Sequence, residues 1–168
     1  VVYLVLLVVL VLVVAAYVTW TAGRIDRLHD RCAAARSALD AQLVRRAATA
    51  AALAHDRADE LGSAAGKLHG TATQALDSEE RFREATENDL TRSLRELPWP
   101  VGATEIAEVS LASRRMAIAR HIYNDAVRDT RGLSGRRLPR LLRLGSGREL
   151  PLYFDIDDSP PGFPLTPS

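Results

Sequence analysis

One cysteine, Cys32, and one lysine, Lys67, stand in a chain of 168 residues. A single thiol excludes an internal disulfide framework and every cysteine-rich zinc module. Aromatic residues make up 5% of the chain, and glycine and proline number 10 and 8. β-Sandwiches and barrels need aromatics, threonine and regularly spaced turn residues, so this composition argues against them. Charge of one sign is lacking as well. A formal net charge of +1 provides no overall field that would select nucleic acid. Apart from Lys67 every basic residue outside histidine is arginine, and alanine is abundant. We read that bias as the mark of a GC-rich genome rather than of function.

Catalytic signatures are also missing. No G-x-S-x-G elbow, dinucleotide fingerprint or P-loop occurs. His29-Asp30 and His55-Asp56, with His69 and His121, invite a metal-dependent hydrolase reading. On one helix, however, His29 and His55 lie roughly 39 Å apart and cannot share an ion. The residues therefore predict no enzyme, no catalytic residue, no metal site and no cofactor. His55-Asp56-Arg57 resembles the phosphoacceptor box of sensor kinases but lacks the proline that normally follows.

What is present begins with residues 1–18, which carry no charge and are valine or leucine at fourteen positions. Each such residue favours insertion near the bilayer centre by about 0.3–0.6 kcal/mol. As a helix, residues 1–22 reach roughly 33 Å, enough to cross the hydrocarbon core. The run exceeds the about 7–15 residues of a signal-peptide core, which favours a retained anchor over a cleaved leader. Trp20 falls at interfacial depth, and Arg24, Arg27, Arg31 and Arg36 follow it. The positive-inside rule then puts the body in the cytoplasm of a single-pass cell-membrane protein.

Beyond the anchor, apolar spacing predicts four helices. Ile25, Leu28, Cys32, Ala35, Leu39 and Leu43 recur by threes and fours, and Ala47, Ala50, Ala54, Ala58 and Leu61 continue the stripe to a stop at Gly62-Ser63. A weaker helix covers 64–76. A capping box at Asp77 and Glu80 is expected to start a third, burying Phe82, Ala85, Leu90, Leu94 and Leu97 before Pro98-Trp99-Pro100. Thr104 is expected to cap the fourth, which buries Val109, Ala112, Met116, Ala119, Tyr123, Ala126 and Thr130, with Leu111, Ile118 and Ile122 widening the face and Gly132 ending it. Short connections favour antiparallel neighbours. The predicted fold is all-α: a transmembrane helix, then an antiparallel up-and-down four-helix bundle with long first and fourth helices. Domain limits are expected at 1–22 for the anchor, 23–148 for the bundle and 149–168 for an acidic, proline-rich tail, disordered from about 159.

Residues 131–148 hold six arginines and no acid among leucines. Arg136, Arg137, Arg140 and Arg143 are candidate contacts to anionic headgroups, where each basic residue contributes about 1 kcal/mol. A leucine-bearing loop that caps the bundle end is an equally good account of the segment.

Three places resemble the LemA family. They are SALDAQLVRR over 37–46, RMAIARHIYNDAV over 115–127, and the close at Leu138-Pro139 with Tyr153-Phe154-Asp155. The chain departs from the family at 48–53, where a D-L-I-P-N-L block would stand, and at Thr130-Arg131 in place of a second Y-N. The resemblance implies an anchored helical bundle without enzymatic activity that acts as a scaffold or protein-interaction surface. It singles out Gln42, Leu43, Arg45, Arg46, Tyr123 and Asn124. Tyr123 is expected in the core with its hydroxyl bonded; Arg45 and Arg46 are expected to pair with acids of the fourth helix, in preference to an acidic patch on a partner. Expected partners are the lipid bilayer, further proteins and a second copy of the chain, but no nucleic acid. A signalling module coupled to the anchor is the alternative function.

Overall fold

The computed structural model describes residues 1–98, 103–134 and 149–159. Among these the regular structure is entirely helical, with no strand. Helix α1 spans Val2–Asp56, α2 Ala58–Leu61, α3 Ser63–Asp77, α4 Arg83–Arg95 and α5 Ala103–Ser134, and a 3-10 turn covers Glu80–Phe82. The chain forms two compact units. The first comprises Val1–Ala35 and Tyr123–Tyr153, and the second Arg36–Ile122 with the described residues from Phe154 onward.

In the first unit every residue over 1–14 is at least half exposed. The helix that carries it, Val2–Asp56, is long and apolar enough near its start to cross a membrane. Continuous apolar surface of that extent is not left to water in soluble monomers. The Tyr17 and Trp20 rings lie 6.5 Å apart at a tilt of 42°, and the Arg24 guanidinium lies 5.8 Å from the Trp20 ring centre. Further along, Ile25 and Cys32 are buried, as are Tyr123, Ala126, Val127 and Leu133. The Thr130 hydroxyl bonds to the carbonyls of Ala126 at 2.8 Å and Leu28 at 3.4 Å.

The core of the second unit is built from small residues. Ala47, Ala50, Leu53 and Ala54 of α1 join Leu61, then Ala65, Leu68, Ala72 and Ala75 of α3, Leu90 and Leu94 of α4, Leu97, and Val109 of α5. Helices α3 and α4 pack on each other. Alanine at the contacts lets helix axes approach closely, so dispersion contacts replace bulk.

Several expectations are corrected. The first helix does not run unbroken to Leu61: Arg57 leaves the helical region at φ −117° and ψ 26°. Its guanidinium instead binds Glu60 and Glu105. Gly62 then adopts φ +54°, a left-handed conformation that costs a Cβ-bearing residue energy, and turns the chain into α3. No capping box forms at Asp77, which is the last residue of α3; Ser78 and Glu79 are extended, and α4 starts four residues later than Glu79 without a side-chain cap. Phe82 is exposed, and so is Ala85. Thr104 lies inside α5 rather than capping it, and the helix passes Gly132. Leu111, Ile118 and Ile122 are exposed. Ile118 stands two residues beyond buried Met116, about 200° round the helix, so this row cannot widen the buried face. Trp99 and Pro100, the basic residues Arg136, Arg137, Arg140 and Arg143, Leu138-Pro139, and the tail beyond Ser159 lie outside the described residues.

Candidate functional site

Helix α4 carries the densest polar chemistry of the second unit. Glu84 in its first turn and Arg92 and Arg95 in its last complement the helix dipole. One face buries Glu87, Leu90, Thr91 and Leu94. Arg46 of α1, 2% exposed, meets Glu87, 0% exposed: Nη1 donates to Oε2 at 3.0 Å, and Nη2 donates to the Thr91 hydroxyl at 2.6 Å. Arg46 Nε and Glu87 Oε1 are buried without a hydrogen-bond partner among the described residues. Burial pushes the Glu87 carboxyl up against the opposing pull of Arg46, and burial lowers the Arg46 guanidinium against the pull of Glu87. Both directions say that desolvation outweighs the attraction within the pair.

Along α4 the side chains of Glu84, Asn88, Thr91 and Arg95, spaced by four, three and four, hold residues 154–159 as a strap. Glu84 Oε1 accepts from the Asp155 amide at 2.9 Å and Asn88 Oδ1 from the Asp157 amide at 2.8 Å. Four residues of helix rise roughly 6 Å, and two residues of extended chain advance roughly 6.6 Å. That match lets every second amide of the strap meet the next turn of the helix. The same alternation buries Phe154 and Ile156 and leaves Asp155 and Asp157 outside. Arg36 lies 5.2 Å from the Phe154 ring centre. Arg95 grips the Asp157 carboxylate with both terminal nitrogens, at 2.7 and 2.9 Å, and Arg120 binds Asp158. Asn88, Arg92, Arg95, Asp155, Ile156 and Asp157 border an open cleft of about 500 Å³ beside the strap.

Hydrogen bonds from Arg95 and Ser159 hold the Asp157 carboxyl well below the ordinary carboxylate range. A depressed folded-state pKa contributes stability that is complete above the ordinary value and lost as pH falls through the depressed one. Protection of the Asp155 and Asp157 amides from hydrogen exchange, taken relative to an unfolded peptide at the same pH, should therefore stay constant from neutrality to about pH 4 and fall in stronger acid. Asp157→Asn should abolish that dependence and leave exchange fast throughout.

Of the residues singled out from sequence, Leu43 is fully buried, Gln42 and Asn124 are half-buried, and Arg45 is exposed. Arg46 finds its acid on α4, not on the fourth long helix, α5. In the first unit the Tyr123 hydroxyl donates to the Leu152 carbonyl at 2.7 Å, as its heptad position suggests. Among the described residues no group of three or more His, Cys, Asp or Glu side chains is placed to hold a metal ion. Sequence reasoning missed the strap, although the alternation Phe154-Asp155-Ile156-Asp157 is the period-two signal that reveals it. No family model, no curated protein and no solved structure matches this chain.

Proposed function

We propose that the chain is a bacterial, LemA-like, single-pass membrane protein that presents a non-enzymatic interaction surface at the cytoplasmic face. The observation that carries this reading is the exposed apolar run on α1. It shares one uninterrupted helix with Leu39, Leu43 and Ala47, which are buried in the helical body. An anchor covalently joined to a packed body tethers that body to the bilayer. The body is read as an antiparallel four-helix bundle, on the short connections between its helices. Arg136, Arg137, Arg140 and Arg143 are proposed to lie against anionic headgroups. Recognition chemistry on α4, with backbone amides read by side chains and ion pairs at the rim, suits peptide binding better than bond-making.

Fractionation tests the reading. Full-length chain with a C-terminal tag should remain in the membrane pellet after alkaline carbonate. The tag should resist external protease in intact spheroplasts and be digested after lysis. Recovery of a shortened chain in the aqueous fraction, or digestion in intact spheroplasts, would overturn the anchor or the orientation respectively.

A further inference from the structure

The strap is delivered to its groove from elsewhere in the chain. Within the second unit its nearest sequence neighbour is Ile122, and residues 123–153 belong to the first unit. Removing the strap therefore opens none of the helical hydrogen bonds of α3, α4 or the second unit's part of α5. Segments attached in this way are the ones that proteins exchange between identical copies.

The groove is also equipped for exchange. The Glu84 and Asn88 side chains read backbone amides, while Phe154, Ile156, Asp157 and Asp158 supply the sequence-dependent contacts. The Thr91 hydroxyl accepts from Arg46 and has one proton for two carbonyl acceptors, Glu87 at 2.9 Å and Asp157 at 3.3 Å. When the strap leaves, that proton stays on the Glu87 carbonyl, so departure orphans no donor at the buried end of the groove. At the rim, Arg95 and Asp157 are open enough to water to be solvated between partners, while Arg120 and Asp158 are more covered.

We propose that this groove binds residues 154–158 of a second copy, so that two chains lock together by reciprocal exchange of their straps. The occupant is identified by the segment already seated: an identical Phe-Asp-Ile-Asp-Asp sequence reproduces each contact, including Asp157 on Arg95, Asp158 on Arg120 and the Phe154 ring against Arg36. Because contacts made within one chain and between two are the same, chain concentration and the connection before residue 154 set the balance. The proposal rests on the reading of the chain as a binding protein and is independent of the anchor's fate.

Charge reversal tests it with full-length chain in detergent. One variant carries Arg95→Glu and Arg120→Glu, the other Asp157→Arg and Asp158→Arg. Within each variant groove and strap repel. In a mixture, the strap of either variant matches the groove of the other. Donor and acceptor dyes on the two variants should show at least tenfold more two-chain species in the mixture than in either variant alone. A chain with all four changes should behave as wild type. Equal signals in the mixture and the separate variants would overturn the proposal. A second measurement needs no charge reversal and uses chains in which Cys32 is serine. Glu84→Cys in one chain and Asp155→Cys in another should give an oxidised mixed dimer in excess of either homodimer. Failure to form it overturns the exchange even where the reversed variants misfold. Loss of anchoring would appear separately, in membrane fractionation.

Discussion

Glu87→Ala is expected to destabilise the second unit by about 3–5 kcal/mol, the cost of leaving a buried arginine without its counter-ion. Few single changes in this chain should do more. Arg46 is 2% exposed, and among the described residues it donates to Glu87 and to the Thr91 hydroxyl. Arg46→Met with Glu87→Leu should recover most of that loss or exceed wild type, because the desolvation of both charges disappears. The pH dependence gives a second check. A carboxyl whose folded-state pKa is raised contributes stability that is present below its unfolded value and lost as pH rises through the folded one. The advantage of the Met/Leu pair over wild type should therefore grow as pH rises above about 4.3, the ordinary glutamate value. Urea unfolding of full-length chain, followed by helical circular dichroism, measures both variants against wild type. A Glu87→Ala midpoint equal to that of wild type would mean the pair is not buried in solution.

A single arginine placed at the centre of the apolar run is expected to remove about half of the drive for insertion. Leu10→Arg exchanges a residue worth about −0.3 to −0.6 kcal/mol for one costing about 2.5–3.5 kcal/mol. Residues 1–18 together provide roughly 4–8 kcal/mol on that scale. Adding Leu6→Arg, one helical turn away, should exhaust it, and carbonate extraction should then release the chain. If the double variant stays in the pellet, something other than residues 1–18 holds the protein there.

Which parts of this architecture can be read from sequence depends on how far each pattern extends. The stripe over 25–61 is long, and most of it is buried, although Leu28 and Ala35 are half-buried and Ala58 is exposed. Helix α3 is harder to see, because Ala65, Leu68, Ala72 and Ala75 form its buried row with three methyl groups and one leucine, interrupted by Gly66 and Gly70. Its stability comes from packing on α4 and not from propensity, which a single sequence does not display. The polar row of α4 is harder still. Glu84, Asn88, Thr91 and Arg95 have the spacing and polarity of a solvated helix face. Only the arrival of a segment from far along the chain turns that row into a binding surface. Arg46 misleads in the same way: its charge predicts an acid, but the choice of Glu87 over the acids of α5 is made by tertiary packing.

Cys32 is the one thiol in the chain, and it is 4% exposed. Alkylation by a maleimide then requires the surrounding packing to open first. The reaction becomes a clock for local breathing where α1 emerges from its apolar run. Its half-time, compared with that of an unfolded chain, gives the opening equilibrium of this segment without any added probe.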